Sequence, residues 1–123
     1  MKENIILDKS FEFALRKVKL YKYLTKTKNE YILSKQLIRS GTSIGANVTE
    51  AVQAQSKADF ISKLSIALKE TSETKYWLKL LYGSEYLEER EYDSIVADAT
   101  EIEKLLVSIL KTSKTTIDKE KDK

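Results

Sequence analysis

The sequence predicts an all-α protein, an antiparallel up-down-up-down four-helix bundle, and three observations support this fold class. Proline is absent and only three of the 123 residues are glycine, so little interrupts a helix. Apolar residues recur at spacings of three and four along four segments. Short polar stretches separate those segments, and short connections favour antiparallel neighbours. We expect one bundle domain over residues 1–110 and a frayed or disordered charged tail over residues 111–123.

The first helix is expected to begin near Asn4 or Asp8, since either side chain can cap it. One heptad-like stripe predicts its core face: Leu7, Phe11, Ala14, Val18, Tyr21 and Thr25. A second apolar line lies on a different side and is assigned to contacts between copies: Phe13, Leu20 and Leu24. Between the two lines lies a basic flank, which is the candidate nucleic-acid surface: Lys9, Arg16, Lys19 and Lys26.

The second helix should run from about Glu30 to about Gln55. Gly41 and Gly45 each cost about 1 kcal/mol relative to alanine inside a helix, so we expect a kink or break between Ser40 and Gly45. Close packing against another helix would explain the glycines. An anion site at a restarted helix N-terminus is the alternative.

The third helix is predicted to start at Ser56, whose hydroxyl can cap it with Asp59 in the capping-box position, and to end at Gly83. Its core stripe keeps a four–three alternation: Phe60, Leu64, Ala67, Thr71, Thr74, Leu78 and Leu81. A second stripe of Ile66, Glu73, Trp77 and Leu80 occupies a neighbouring face. Two apolar faces exceed what one bundle core can cover, so this helix predicts self-association through Ile66, Trp77 and Leu80.

The fourth helix should begin between Leu87 and Glu91, where acidic residues suit the positive end of the helix dipole. Its core stripe consists of six positions: Tyr92, Ile95, Ala99, Ile102, Leu106 and Ile109. Val96, Leu105 and Leu110 widen this stripe. The apolar pattern is lost after Leu110, where the charged tail is placed.

The composition also excludes classes of function. Without cysteine or histidine, the chain has no disulfide framework, no thiolate metal site and no Ser–His catalysis. We expect no metal, no cofactor and no catalytic residue. No apolar run reaches the ~20 residues of a membrane span and no signal peptide is visible, so the sequence predicts a cytoplasmic protein.

Polar residues on the second and third helices suggest a structural contact. Arg39 heads a polar face beside small residues, and we expect it to pair with one or both of Glu50 and Glu73 inside the bundle or at a subunit junction. Such a contact would fix register more than it adds stability. Glu70 and Glu73 could also act as paired carboxylates in metal ligation or acid–base chemistry, which is the alternative.

Charge is distributed unevenly along the chain. Residues 1–79 carry a net charge of +7 and residues 80–123 a net charge of −4, within a total of +3. Repeated around an assembly, the basic flank could hold phosphates through salt-sensitive contacts. A lysine-rich face that is merely solvated is the alternative.

Three motifs carry a resemblance to a known family. They are Gln36-Leu-Ile-Arg-Ser-Gly-Thr-Ser-Ile-Gly-Ala-Asn-Val-Thr-Glu-Ala51, Ser56-Lys-Ala-Asp-Phe-Ile-Ser-Lys-Leu-Ser-Ile-Ala-Leu-Lys-Glu70 and Glu73-Thr-Lys-Tyr-Trp-Leu78. Over roughly residues 8 to 110 the chain resembles the bacterial four helix bundle proteins, also described as 23S rRNA intervening-sequence proteins. Many members have proline near the position of Gly45. The resemblance implies a homo-pentamer, and relatives include a basic retroelement accessory protein that looks to bind RNA and a reverse transcriptase.

Three functions from different classes follow. The leading hypothesis is a non-enzymatic oligomeric adaptor that binds RNA or an RNA-handling protein through a basic surface. The second is a purely structural protein–protein interaction module without nucleic acid. The third is a carboxylate-based enzyme, which would need a pocket holding a metal beside Glu50, Glu70 or Glu73.

Overall fold

Four helices in sequence form the protein. The computed structural model describes the backbone of residues 2–121 and the side chains of residues 4–116. The helices are α1 (Lys2–Lys26), α2 (Leu33–Val52), α3 (Lys57–Gly83) and α4 (Glu89–Lys121). Each packs against the next, and α4 returns to α1. The α2–α3 interface is the most extensive and the α1–α4 interface the least. The predicted all-α four-helix bundle is confirmed.

The periodicity of α3 and α4 identifies their core faces correctly. On α3 the stripe from Leu64 to Leu81 is buried, and on α4 the stripe from Ile95 to Ile109 is buried. Two threonines lie within the α3 stripe, and both satisfy their hydroxyls locally. Thr71 donates to the carbonyl of Ala67 at 2.8 Å, and Thr74 donates to that of Glu70 at 2.7 Å. Threonine therefore fits this core without an unpaired donor.

The predicted core face of α1 is wrong. Phe11, assigned to the core, is 64% exposed. The line assigned to contacts between copies is instead buried in the chain's own core: Phe13, Leu20 and Leu24. The physical reason is Lys17, which is fully buried on this inner face and breaks its apolar pattern in the sequence. These three residues are therefore not available to another copy.

The predicted break in α2 is also wrong, because the helix is continuous from Leu33 to Val52. Both glycines face α1. A Cβ atom at Gly41 would lie 2.6 Å from Cγ of Lys17, and one at Gly45 would lie 3.4 Å from the backbone oxygen of Ser10. Close helix packing thus accounts for the glycines. The anion site loses its basis, since no helix restarts here.

The ends of α2 and α3 show which caps were recognisable. The Ser56 hydroxyl accepts from the backbone N–H of Asp59 at 3.0 Å, as predicted. At the start of α2, the Glu30 carboxylate accepts from the N–H groups of Ile32 and Ser34, at 3.0 and 3.1 Å. The Glu30 carboxylate therefore pairs with backbone N–H groups that have no carbonyl partner within the first turn of the helix. Although α3 ends at Gly83 as expected, the left-handed residue of that turn is Glu85, with φ of 71°.

The last helix is longer than predicted. It begins at Glu89, within the expected range, but continues past Leu110 to Lys121. Ser113 is buried, so the helix still packs beyond Leu110. The helix thus includes residues 111–121 of the segment predicted to be a frayed or disordered tail, while residues 122–123 lie outside the described part.

Candidate functional site

The basic flank of α1 is divided into a paired part and an unpaired part. Lys9 forms an ion pair with Glu101 of α4. Arg16 binds Asp98 at 2.6 Å and donates to the Ser94 hydroxyl at 2.8 Å. The acidic end of the chain therefore lies against Lys9 and Arg16. Contacts with these carboxylates offset much of the positive charge that the two residues would offer a phosphate.

The unpaired part is a group of exposed lysines at the C-terminal end of α1 and the start of α2. We define the α1–α2 lysine cluster as Lys19, Lys22, Lys26, Lys28 and Lys35. Among the described residues, none of the five has an ion-pair partner within 4.0 Å. Residues 13–29 contain no aspartate or glutamate. The α1–α2 lysine cluster therefore presents positive charge that no neighbouring carboxylate in the described part of the chain compensates.

Two exposed tyrosines accompany the cluster. Nζ of Lys28 lies 5.9 Å from the centre of the Tyr23 ring, and Tyr31 is 61% exposed. The nearest acid in sequence, Glu30, is occupied in capping α2. Acidic residues (Glu89 and Glu91) begin α4 at the same end of the bundle.

The polar contact expected around Arg39 forms on the surface. Arg39 bonds to Glu73 and lies 3.4 Å from Glu70, and the Trp77 indole donates to Glu73 at 3.3 Å. Glu50 does not join them but lies 3.3 Å from Lys63. The arrangement connects α2 to α3 outside the core.

The same contact explains opposite shifts in two carboxyl groups. The hydrogen bond from Arg39 lowers the pKa of Glu73, whereas partial burial and the neighbouring Glu73 raise the pKa of Glu70. The described residues contain no group of three or more acidic side chains placed to hold a metal ion. Arg39 occupies the pair that the enzyme hypothesis needs, which favours the structural interpretation.

The α3 residues assigned to self-association lie at the surface. Ile66 is 39% exposed, Leu80 is 36% exposed, and Trp77 is half-buried against the core. Of the three, Leu80 also lines an open, mainly apolar depression of about 610 Å³, whose other lining residues are Tyr76, Lys79, Tyr82, Gly83 and Ser84. A contact between copies through this face stays a prediction.

Comparison with known proteins identifies the family. A model of the 23S rRNA-intervening sequence protein family matches residues 2–108. The chain belongs to this family. It is also similar to a crystal structure described as a protein of unknown function from the S23 ribosomal protein family of Bacteroides thetaiotaomicron VPI-5482. That likeness has 60% identity and a TM-score of 0.90, and it covers 90% of this chain and 99% of the other.

No curated protein matches the chain. None of its helices, over the described residues, is long and apolar enough to cross a membrane. The family match covers the lysine cluster, the Arg39 contact and the apolar face of α3, but it stops before the last part of α4.

The sequence-based prediction did not single out Lys17, which the structure places in the core. Lys17 has 0% exposure, and its Nζ has no hydrogen-bond partner and lies 4.1 Å from the centre of the Phe13 ring. Burial lowers the pKa of Lys17 to about 7; Arg16 adds to this effect and Asp98 opposes it. The signal was present, since Lys17 lies four residues after Phe13 and three before Leu20, in register with that apolar line.

Proposed function

We propose that this protein is a non-enzymatic, oligomeric helical-bundle adaptor that binds RNA through the α1–α2 lysine cluster. The observation that carries the proposal is the cluster itself, five exposed lysines without ion-pair partners beside a stretch free of acidic residues. Lysine ammonium groups bind phosphates and release condensed counterions, whatever the sequence of the nucleic acid. Exposed Tyr23 and Tyr31 provide faces on which unpaired bases could stack.

Self-association would strengthen this surface by repeating it. Each subunit contributes one cluster, and several clusters on one assembly bind a flexible strand more tightly than any single cluster. The end of α3 supports association, because three exposed apolar residues (Tyr76, Leu80 and Tyr82) line one depression there, and such patches are typical of protein contacts. The family resemblance favours five copies.

The assembly is tested by its mass. We expect light scattering at micromolar concentration to give a multiple of the 14.2 kDa chain. The double variant Ile66→Asp, Leu80→Asp should reduce that mass, because it places charge on the proposed contact. Val107→Asp is the matched control, since Val107 is exposed on α4. A monomeric wild-type protein, or equal loss of mass in the control, would contradict assembly through α3.

RNA binding is tested with a generic single-stranded RNA at several salt concentrations. We expect binding that weakens as salt rises, and a triple variant Lys19→Gln, Lys22→Gln, Lys26→Gln that binds more weakly. Its slope of log affinity against log salt should fall by about 2, at roughly 0.7 for each lost phosphate contact. The control Lys104→Gln, Lys111→Gln, Lys114→Gln removes the same charge from exposed positions of α4.

The same measurements distinguish the RNA-binding adaptor from the second candidate, a purely structural protein–protein interaction module. The apolar depression of α3 favours that candidate independently of the lysines. A protein that assembles normally but binds no RNA at ~50 mM salt, where phosphate contacts are strong, would overturn the RNA proposal and leave the structural module. Equal weakening by the two triple variants would show that net charge, rather than the cluster, is responsible.

A further inference from the structure

A buried charge-bearing group lies beneath the least packed interface of the bundle. We define the α1–α4 seam as the contact between these helices, bridged by the Lys9–Glu101 and Arg16–Asp98 pairs. A groove of about 250 Å³ runs along it, and Phe13 is among its lining residues. Nζ of Lys17 lies 4.1 Å from the centre of the same ring. The amine is thus close to the groove although it is not exposed.

The surroundings of Lys17 suit a neutral amine, since its Nζ is buried without a hydrogen-bond partner among the described residues. Its stem fits against Gly41 of α2, where a Cβ atom would approach Cγ to 2.6 Å. The buried polar groups that α2 and α3 contribute centrally are neutral hydroxyls (Ser40, Thr71 and Thr74). Their polar contacts are made within and between α2 and α3, as where the hydroxyl oxygens of Thr74 and Ser40 lie 3.0 Å apart. A buried cation without a hydrogen-bonding partner is costly.

Two charged groups act on Lys17 from α1 and α4. Arg16, its neighbour on α1, disfavours a second positive charge, and Asp98 on α4 favours it. Asp98 is held at the rim of the groove by Arg16, at 2.6 Å. Asp98, the carboxylate that favours the charged form of Lys17, is therefore already bound by Arg16, a half-buried cation that water could solvate instead.

We propose that Lys17 is a proton-operated latch on the α1–α4 seam. In the closed state the neutral amine lies against Gly41 and Phe13. When Nζ takes a proton from solvent, the ammonium moves into the groove and binds Asp98, Arg16 is released to water, and α1 separates locally from α4. Loss of the proton reverses the movement. The pKa of Lys17, lowered to about 7 by burial, places this change close to neutral pH.

Hydrogen exchange of backbone amides, read by mass spectrometry, tests the latch at pH 6.5 and pH 8.5 with labelling times scaled for intrinsic exchange. We expect protection around Arg16 and Asp98 to fall roughly tenfold at the lower pH, because an opening that frees a buried lysine becomes more populated as protons bind. Protection at the α2–α3 interface should stay unchanged.

Three variants distinguish the latch from general instability. Lys17→Met fills the same space without a titratable group and should abolish the pH effect. Asp98→Asn removes the negative charge that the ammonium would bind and should abolish the local response. Lys104→Met, an exposed lysine of α4, should retain it. Equal loss of protection in all four helices of the wild type, no pH effect at the seam, or a pH effect that persists in Lys17→Met or Asp98→Asn would overturn the proposal.

Discussion

Replacing Lys17 with methionine is expected to raise the free energy of unfolding at pH 7 by about 4 kcal/mol. Burial lowers the pKa of Lys17 from 10.5 to about 7, and at pH 7 this shift destabilises the native protein by about that amount. In the closed arrangement the native protein must keep this amine neutral or bury its charge without a hydrogen bond. Methionine has nearly the same length and flexibility, and it carries no charge to desolvate. Denaturant unfolding of the two proteins, followed by circular dichroism, measures the difference.

The effect should depend on pH with a definite sign. In the unfolded chain Lys17 binds its proton below about pH 10.5, whereas in the native protein it does so only below about pH 7. Between these values the unfolded state holds more protons, so wild-type stability rises with pH. The advantage of Lys17→Met is therefore largest below pH 7 and disappears as the pH approaches 10.5.

The comparison between variants isolates this one group. Tyrosines and other lysines titrate in both proteins, so their contributions cancel in the difference. Lys104→Met removes an exposed lysine from α4 and should change stability by less than about 0.5 kcal/mol, as surface substitutions usually do. A difference between Lys17→Met and wild type that stays constant from pH 6 to pH 10 would refute a neutral buried amine.

Gly41→Ala is expected to lower the free energy of unfolding by about 1–3 kcal/mol, the usual cost of overpacking a core. In an exposed helix the same change would gain about 1 kcal/mol from helix propensity. Here the new Cβ would lie 2.6 Å from Cγ of Lys17, near the base of a side chain that is fully enclosed. Neither the lysine stem nor the helix can move away without disturbing the contact between α1 and α2.

Gly83→Ala provides the control for Gly41→Ala. No atom lies within 4 Å of a Cβ at Gly83, and its φ is not positive, so alanine there should be neutral or stabilising. In a Lys17→Ala background the cost of Gly41→Ala should become much smaller, because the Cγ atom at 2.6 Å is gone and only Cβ of residue 17, at 3.3 Å, remains. If Gly41→Ala and Gly83→Ala had equal effects on stability, the close approach of α1 would not be the reason for glycine at position 41.

The fold was largely predictable where side-chain type and burial agree. The stripes of α3 and α4 and the cap at Ser56 follow directly from spacing and hydrogen-bonding capacity. On α1 the prediction of the core face fails because Lys17 occupies a core position. It interrupts the true core line, so the stripe through Phe11 is the more continuous apolar pattern in the sequence. On α2 the propensity cost of glycine was offset by packing against α1, which is a tertiary effect.

The candidate site was predictable only in part, for a similar reason. Helical spacing placed Lys9, Arg16, Lys19 and Lys26 on one flank, but it could not show which of them α4 would neutralise. The pairing of Arg16 with Asp98 joins residues 82 positions apart in the chain. Arg39 likewise could have met Glu50 or Glu73 by spacing alone, and only the packing of α2 on α3 selects Glu73 with Glu70.

The unequal packing among the helices has a consequence for folding order. The α2–α3 pair combines the largest contact with a connection of only four residues between Val52 and Lys57. Closing that short loop loses little chain entropy, so this hairpin is favoured as the nucleus. The first and last helices share the smallest contact and are the most distant in sequence, and we expect them to meet last. Desolvation of the Lys17 amine would then fall late in folding, after the nucleus has formed.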